Sequence, residues 1–324
     1  MEYRSLGNIS EVSRLALGGG GIGQVWGETD QDEAVATVRH AWDAGINLFD
    51  MAPLYGNGEA ESVMGLAFGN SYPDGLRVTT KCMLGNAPAN EIESRLVSSL
   101  DKSSERMRRA FIDIFILHGY VVADDLLASD RGQRLAAVGV PESTFFESVV
   151  PVFESLKASG RIGAWGVTAA STQPQNFAVL GHDVKPDVAQ CITNLLDSPG
   201  GMAITGEPAD PRKVISKAVS QGVGVMGIRA VAAGSLTDAI DREVPEKSAE
   251  YRDFARAAAF RGLAADMGEE PAFLAHQYAL SMPGVDTVVL GVKNREELDE
   301  CLRAQAAGPL SAELMSRIDG SVIA

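Results

Sequence analysis

Short apolar runs of strand length alternate with longer stretches of helical period along this 324-residue chain, and that alternation limits its fold more than any single motif. The strand-length runs are Arg14 to Leu17, Ile46 to Asp50, Leu76 to Lys81, Ile112 to Leu117, Ile162 to Thr168, Val188 to Cys191, Val223 to Gly227 and Thr287 to Leu290. Helices are expected over Gln31 to Ala44, Glu59 to Phe68, about Asn90 to Arg109, and Ser143 to Ser159 with Gly160 as its stop. Further helices fit Pro211 to Gln221, Pro271 to Met282 and Arg295 to Ala304. Thr29 or Asp30 would cap the first of these, and Asn294 the last. Strand followed by helix, repeated, implies parallel pairing through right-handed crossovers. Eight such units at this length predict a (β/α)8 TIM barrel, one domain spanning 1–324, with a short N-terminal hairpin. A doubly wound open sheet is the competing architecture. Ala203 to Asp210 and Ala232 to Lys247, rich in turn formers and charges, read as long barrel-top loops.

Charge and composition exclude several roles. A net charge of -15 leaves no counterion-release term for nucleic acid, although one basic pocket could still serve an anionic cofactor. Cys82, Cys191 and Cys301 stand far apart without metal-ligand or disulfide spacing, which suits a reducing compartment and no metal. No basic flank precedes an apolar run at the N-terminus, and no run approaches the ~18 apolar residues of a membrane span. A cytoplasmic protein is expected.

Gly18, Gly20 and Gly23 satisfy the G-x-G-x-x-G dinucleotide fingerprint after a short strand. The fingerprint needs a helix opening beneath its third glycine, so that helix amides meet the pyrophosphate. Gln24-Val25-Trp26-Gly27-Glu28 reads instead as loop. The run is better explained as a first βα loop whose glycines admit close backbone approach.

Four polar residues sit at or just after strand ends: Asp50, Tyr55, Lys81 and His118. A phenol titrates near ~10 in water, too high for proton exchange near neutrality. A neighbouring ammonium, Lys81, would lower that value, and a carboxylate, Asp50, would keep the ammonium charged when buried. His118 could donate to a carbonyl oxygen and orient it. Each alone has an ordinary reading as a cap, core aromatic, solvated strand terminus or core histidine. Jointly they suit protonation of an alkoxide formed from a carbonyl, or the reverse.

These residues also carry a resemblance. Phe49-Asp50-Met51-Ala52-Pro53-Leu54-Tyr55-Gly56, with Gly58 and Glu61, resembles the F-D-T-A-x-x-Y-G segment of the aldo-keto reductases. Thr80-Lys81 and Ile116-Leu117-His118 resemble two further strand ends of that family, and the likeness runs from Arg4 to Arg295. It implies Tyr55 as acid/base, His118 as substrate-orienting donor, and Asp50 with Lys81 as the pair tuning Tyr55. It also implies a nicotinamide dinucleotide cofactor and an aldehyde, ketone or alcohol substrate.

Further positions implied for that cofactor are Gly20, Thr168, Gln190, Arg229, Gly291, Lys293, Arg295 and Glu297. Gln190 would meet the nicotinamide amide, whereas Asn194 reads equally as a turn cap. Ala169 lacks the side-chain amide usual there. Gly227-Ile228-Arg229-Ala230-Val231 replaces a stretch whose tyrosine stacks on the nicotinamide, so the ring would rest on Ile228 or find another partner. Arg229 suits either the pyrophosphate or solvent. Lys293 and Arg295 lean the adenosine end toward NADP(H); Glu297, which suits a bare ribose hydroxyl, keeps NAD(H) open. Trp26, Leu54, Met83 and Tyr120 are candidates for the substrate wall. A cofactor-holding regulatory protein of the same fold and a Rossmann dehydrogenase are the rival readings, and self-association is left open.

Overall fold

The computed structural model describes residues 1–128, 130–203 and 207–322. In chain order its strands are β1 (Tyr3–Leu6), β2 (Ile9–Ser13), β3 (Leu15–Gly18), β4 (Leu48–Asp50), β5 (Arg77–Cys82), β6 (Ile112–Leu117), β7 (Tyr120–Val122), β8 (Gly139–Pro141), β9 (Ile162–Thr168), β10 (Val188–Ile192), β11 (Gly224–Ile228) and β12 (Thr287–Leu290). Eight of them close a parallel barrel in the order β3, β4, β5, β6, β9, β10, β11, β12, with β12 returning to β3 through Val288 beside Leu15. The alternation of strands and helices therefore closed into the barrel rather than the open sheet. β1 and β2 form the antiparallel hairpin.

Period-two alternation sorts each barrel strand's side chains between the lumen and the helices. Ala16, Leu48, Ile114, Ile116, Ala164, Val188 and Met226 pack together, and the hairpin adds Leu6 and Val12 to them. Leu15, Leu17, Phe49, Phe115, Leu117 and Trp165 belong to the other set, packed with helix residues. Two residues beyond Leu48 on the same register lies Asp50; beyond Val188 lies Gln190, and beyond Ile116 lies His118. The lumen-facing registers of β4, β6 and β10 thus end at the C-terminal rim in polar residues.

At the opposite end the polar groups belong to backbone closure. Asp113 accepts from the backbone N–H of Val78 (2.9 Å), Asp187 from that of Trp165 (3.1 Å) and Asp286 from that of Val225 (2.8 Å). The buried Arg14 guanidinium donates to the carbonyls of Leu280, Val285 (2.5 Å) and Asp286 (2.6 Å). The Leu6–Ile9 turn of the hairpin needs Gly7, whose φ is +56° and whose Cβ would come within 2.8 Å of the Gly224 nitrogen.

Helix boundaries follow local chemistry. Asp30 rather than Thr29 caps Gln31–Asp43, its carboxylate accepting from Glu33 N at 2.7 Å, and Asn294 caps Arg295–Ala306 from 2.9 Å. Glu59–Phe68 falls where the sequence placed it. The stretch expected as one helix over Ser143 to Ser159 is Glu142–Thr144, a π turn at Phe145–Val149 and then Val150–Ala158. Pro151 has no N–H to continue the ladder, and the Val150 N–H reaches back to Phe145 instead. The run from Ile46 forms a strand only from Leu48, because Asn47 is committed to Ser13 and Glu11 of the hairpin.

The glycine run is one helical turn, Gly19–Ile22, that ends at Gly23 instead of opening beneath it. The expected loop over 232–247 holds only a short 3-10 turn at Ala232–Gly234; of the 203–210 loop, residues 204–206 lie outside the described residues. Helices at Gln173–Gly181, Ala249–Arg256, Ala258–Met267 and Ala312–Asp319, and the small β7–β8 pair, were not anticipated.

Candidate active site

β4, β5 and β6 are neighbours in the barrel, so Asp50, Lys81 and His118 arrive side by side at the rim. Tyr55 follows β4 on a turn closed by its N–H to Ala52 O (3.1 Å), and Gly56 and Gly58 take the left-handed conformation behind it. A side chain at Gly58 would meet the Arg106 stem at 2.6 Å. Arg106 itself pairs at 2.6 Å with the buried Glu61, which also accepts from Thr80 Oγ1. That ion pair ties the helix behind Tyr55 to its neighbour and to β5.

Lys81 is fully buried and its Nζ is the hub. It donates to Asp50 Oδ2 (2.9 Å), to the Met51 carbonyl (2.9 Å) and to the Tyr55 hydroxyl (3.3 Å). Asp50 Oδ1 accepts from Thr79 Oγ1 (2.9 Å) and Gln190 Nε2 (3.0 Å), so the carboxylate is held on both sides. The Tyr55 and His118 rings meet edge to face, centroids 5.6 Å apart at 84°. His118 Nδ1 is buried without a hydrogen-bond partner.

Burial lowers the charged form of Lys81, but Asp50 and the Tyr55 oxygen outweigh it and raise the ammonium's pKa above its usual value. For Tyr55 burial wins: the phenol is pushed above its ordinary range, with Lys81 opposing and Asp50 adding to the rise. The sequence-based expectation of a lowered phenol pKa is therefore corrected; desolvation exceeds the ammonium's pull. His118 is driven down to about 3 by burial and by Lys81, which leaves it a neutral imidazole at any working pH. The group as built is a protonated phenol backed by a buried cation, beside a neutral ring.

The residues implied for a cofactor divide into two sets. Thr168 and Gln190 lie on lumen-facing registers beside the four, Thr168 Oγ1 donating to Leu117 O at 3.3 Å. Asn194 closes the turn after β10, donating to Ser198 O (3.1 Å) and Arg229 O (3.2 Å), which decides for its capping reading. Arg229 is largely covered rather than solvated, its side chain 9% exposed, with φ +62° and a 3.4 Å contact to Glu250. Gly20, Gly291, Lys293, Arg295 and Glu297 gather between the first and last barrel strands. Lys293 pairs with Asp241 and Glu297, and Arg295 with Glu33.

Of the four substrate-wall candidates, Trp26 lies over the turn that follows β3. Its indole covers Gly20, where a Cβ would come within 2.5 Å of Nε1, and Gly291, where it would come within 3.3 Å. Arg242 stacks over the indole at 5.3 Å. Trp26 thus packs on Gly20 and Gly291, a contact that its position in a loop did not reveal. Tyr120 packs with Ala170, Ile192 and Ile228, the end of β11 where a nicotinamide-stacking tyrosine was missed. Met83 approaches Gly119, and Leu54 is exposed.

The aldo/keto reductase family model matches residues 14–323. The chain belongs to the aldo/keto reductase family. Among curated relatives of this aldo/keto reductase is the L-galactose dehydrogenase of Arabidopsis thaliana, 26% identical over 318 residues, covering 94% of this chain and 88% of that one. A putative voltage-gated potassium channel subunit beta of Schizosaccharomyces pombe is 25% identical over 347 residues, covering 98% and 92%. An aldo-keto reductase of Bacillus halodurans, solved in its holo form, superposes with a TM-score of 0.73 at 20% identity, covering 100% of this chain and 97% of that one. The structural likeness carries the fold alone; the family match makes this an NAD(P)-dependent oxidoreductase in kind.

The residues present fit a nicotinamide dinucleotide. The orphaned His118 nitrogen and the Tyr55 hydroxyl offer polar atoms at the rim. Among the described residues no group of three or more His, Cys, Asp or Glu could hold a metal ion, and no helix is long and apolar enough to cross a membrane.

Proposed function

We propose that the chain, acting as one unit over 1–324, interconverts a carbonyl compound and its alcohol, with Tyr55 as general acid/base. A bound nicotinamide dinucleotide would supply or accept the hydride. In reduction the substrate oxygen rests between the Tyr55 hydroxyl and the His118 ring, and Tyr55 donates its proton to that oxygen as negative charge develops. The phenolate left behind faces the Lys81 ammonium, 3.3 Å away, and Asp50 keeps that ammonium charged. In the reverse direction Tyr55 takes the alcohol's proton. Neutral His118 serves as a hydrogen-bonding partner that orients the oxygen, not as a proton carrier.

The observation that carries this reading is the buried Lys81 hub, which links an ion-paired carboxylate to a phenol at the barrel's C-terminal rim. The test is titration of the protein with reduced nucleotide by fluorescence, followed by a panel of aldehydes, ketones and alcohols read at the nicotinamide absorbance. Turnover of at least one carbonyl is expected. Nucleotide binding without oxidation by any panel member would instead support a regulatory role, for which the likeness to a potassium channel beta subunit is the specific ground.

A further inference from the structure

We propose that the outer end of this dinucleotide site selects a bare ribose, NAD(H) over NADP(H), because carboxylates already hold every cation it presents at Lys293 and Arg295. This rests on the reading above that the Gly291–Glu297 segment faces the adenosine ribose.

Lys293 sits between two acids, its Nζ paired with the Asp241 carboxylate and lying 3.2 Å from Glu297 Oε1. Its backbone N–H also donates to Glu297 Oε2 at 2.8 Å. Arg295 lays its fork on Glu33, Nε to Oε1 at 3.1 Å and the second arm to Oε2 at 2.8 Å. The backbone donors that a helix N-terminus would offer an anion are taken as well. The Arg295 N–H goes to Glu33 Oε1 (3.0 Å) and the Glu297 N–H to the Asn294 cap (2.9 Å). Two cations and two backbone amides therefore face three carboxylates, Glu33, Asp241 and Glu297, and the third amide is taken by the Asn294 cap.

A ribose 2′-phosphate brings about -1.5 to -2 charge at neutral pH. To bind here it must displace at least one carboxylate, and the displaced acid stays within a few ångströms of it. Like charges so placed oppose binding. A 2′-hydroxyl has the opposite requirement, since it donates and a carboxylate accepts. Glu33 also holds its charge: hydrogen bonds and charge from Arg295 pull its carboxyl below its usual value. Counted from sequence, Lys293 and Arg295 are two cations awaiting a phosphate; in the fold they are occupied.

The experiment is fluorescence titration of the intact protein with NADH and with NADPH, repeated with ADP-ribose and its 2′-phosphate as competitors. The expected result is a Kd for NADH lower than that for NADPH by roughly tenfold or more, with the same order among competitors. In Glu33→Gln/Glu297→Gln the ratio is expected to shift toward NADPH by roughly tenfold, chiefly through tighter NADPH binding. Glu297→Gln alone should move it part of the way, and thermal melts check that each variant is folded. Equal or tighter NADPH binding by the unmodified protein overturns the proposal, as does a ratio unchanged in both folded variants. Binding of neither nucleotide is a different outcome, and it defeats the dinucleotide reading itself.

Discussion

The two ends of the barrel use the same residue types for opposite purposes. At the N-terminal end Asp113, Asp187 and Asp286 each accept a backbone N–H, and Arg14 covers three carbonyls. At the C-terminal rim Asp50 and Lys81 are paired as firmly, yet the polar chain continues to the Tyr55 hydroxyl, and beside it the buried His118 nitrogen has no partner. Satisfied polar groups stabilise; a polar group left unsatisfied at a rim is a place for something else to bind. The division matches the general separation of stability and chemistry between the faces of such barrels.

The sharpest way to break this comparison is to remove the outermost rim group. Tyr55→Phe should lower turnover by about 10²–10⁴-fold with little change in melting temperature or nucleotide affinity. Normal turnover by that variant would sink the assignment of Tyr55. Lys81→Met tests the one residue that serves both purposes, since it leaves Asp50 buried and unpaired. It should cost about 3–5 kcal/mol in denaturant unfolding as well as activity. If activity alone fell, the ion pair would not be structural.

A floor residue gives the converse. Asp286→Ala strips the acceptor from the Val225 N–H and should cost about 1–3 kcal/mol of stability while leaving kcat/KM unchanged at temperatures where the variant is folded. The smallest effect is one of pH. With Tyr55 raised by burial, the proton donor stays loaded through neutrality, so carbonyl reduction should be flat there and fall only at high pH. Alcohol oxidation, which needs the phenolate, should rise with pH. His118, at about 3, contributes no inflection; a step near the ordinary imidazole value of ~6.5 in either profile would contradict that.

The rim was more legible than the periphery for a reason of geometry. A barrel strand has period two, so the side chain at its C-terminal end lies on the lumen whenever the residue two before it does. Asp50, Gln190 and His118 follow Leu48, Val188 and Ile116 in that way, and position in a run was enough to place them. Ile112–Leu117, Ile162–Thr168 and Thr287–Leu290 were also bounded correctly from apolar runs. Loop residues have no such period. Trp26 was named for the substrate wall by type alone, and its packing is set by the absence of side chains at Gly20 and Gly291, far apart in sequence. The charge state of the outer site was equally hidden, because Glu33 and Asp241 reach Lys293 and Arg295 across the fold. Helices such as Ala249–Arg256 were missed since short, largely polar segments carry little apolar period.

Barrel closure joins β3 to β12, and Arg14 reaches Val285 across 271 positions of sequence. During synthesis the first barrel strand therefore emerges long before one of its two neighbours exists. The early strands can assemble only as an open sheet with two exposed edges until the last quarter of the chain leaves the ribosome. Such edges are where nascent chains pair wrongly with one another. Truncation near the C-terminus thus removes more than a strand and a helix: it leaves the ring unsealed, with Arg14 deprived of all three carbonyls that cover it.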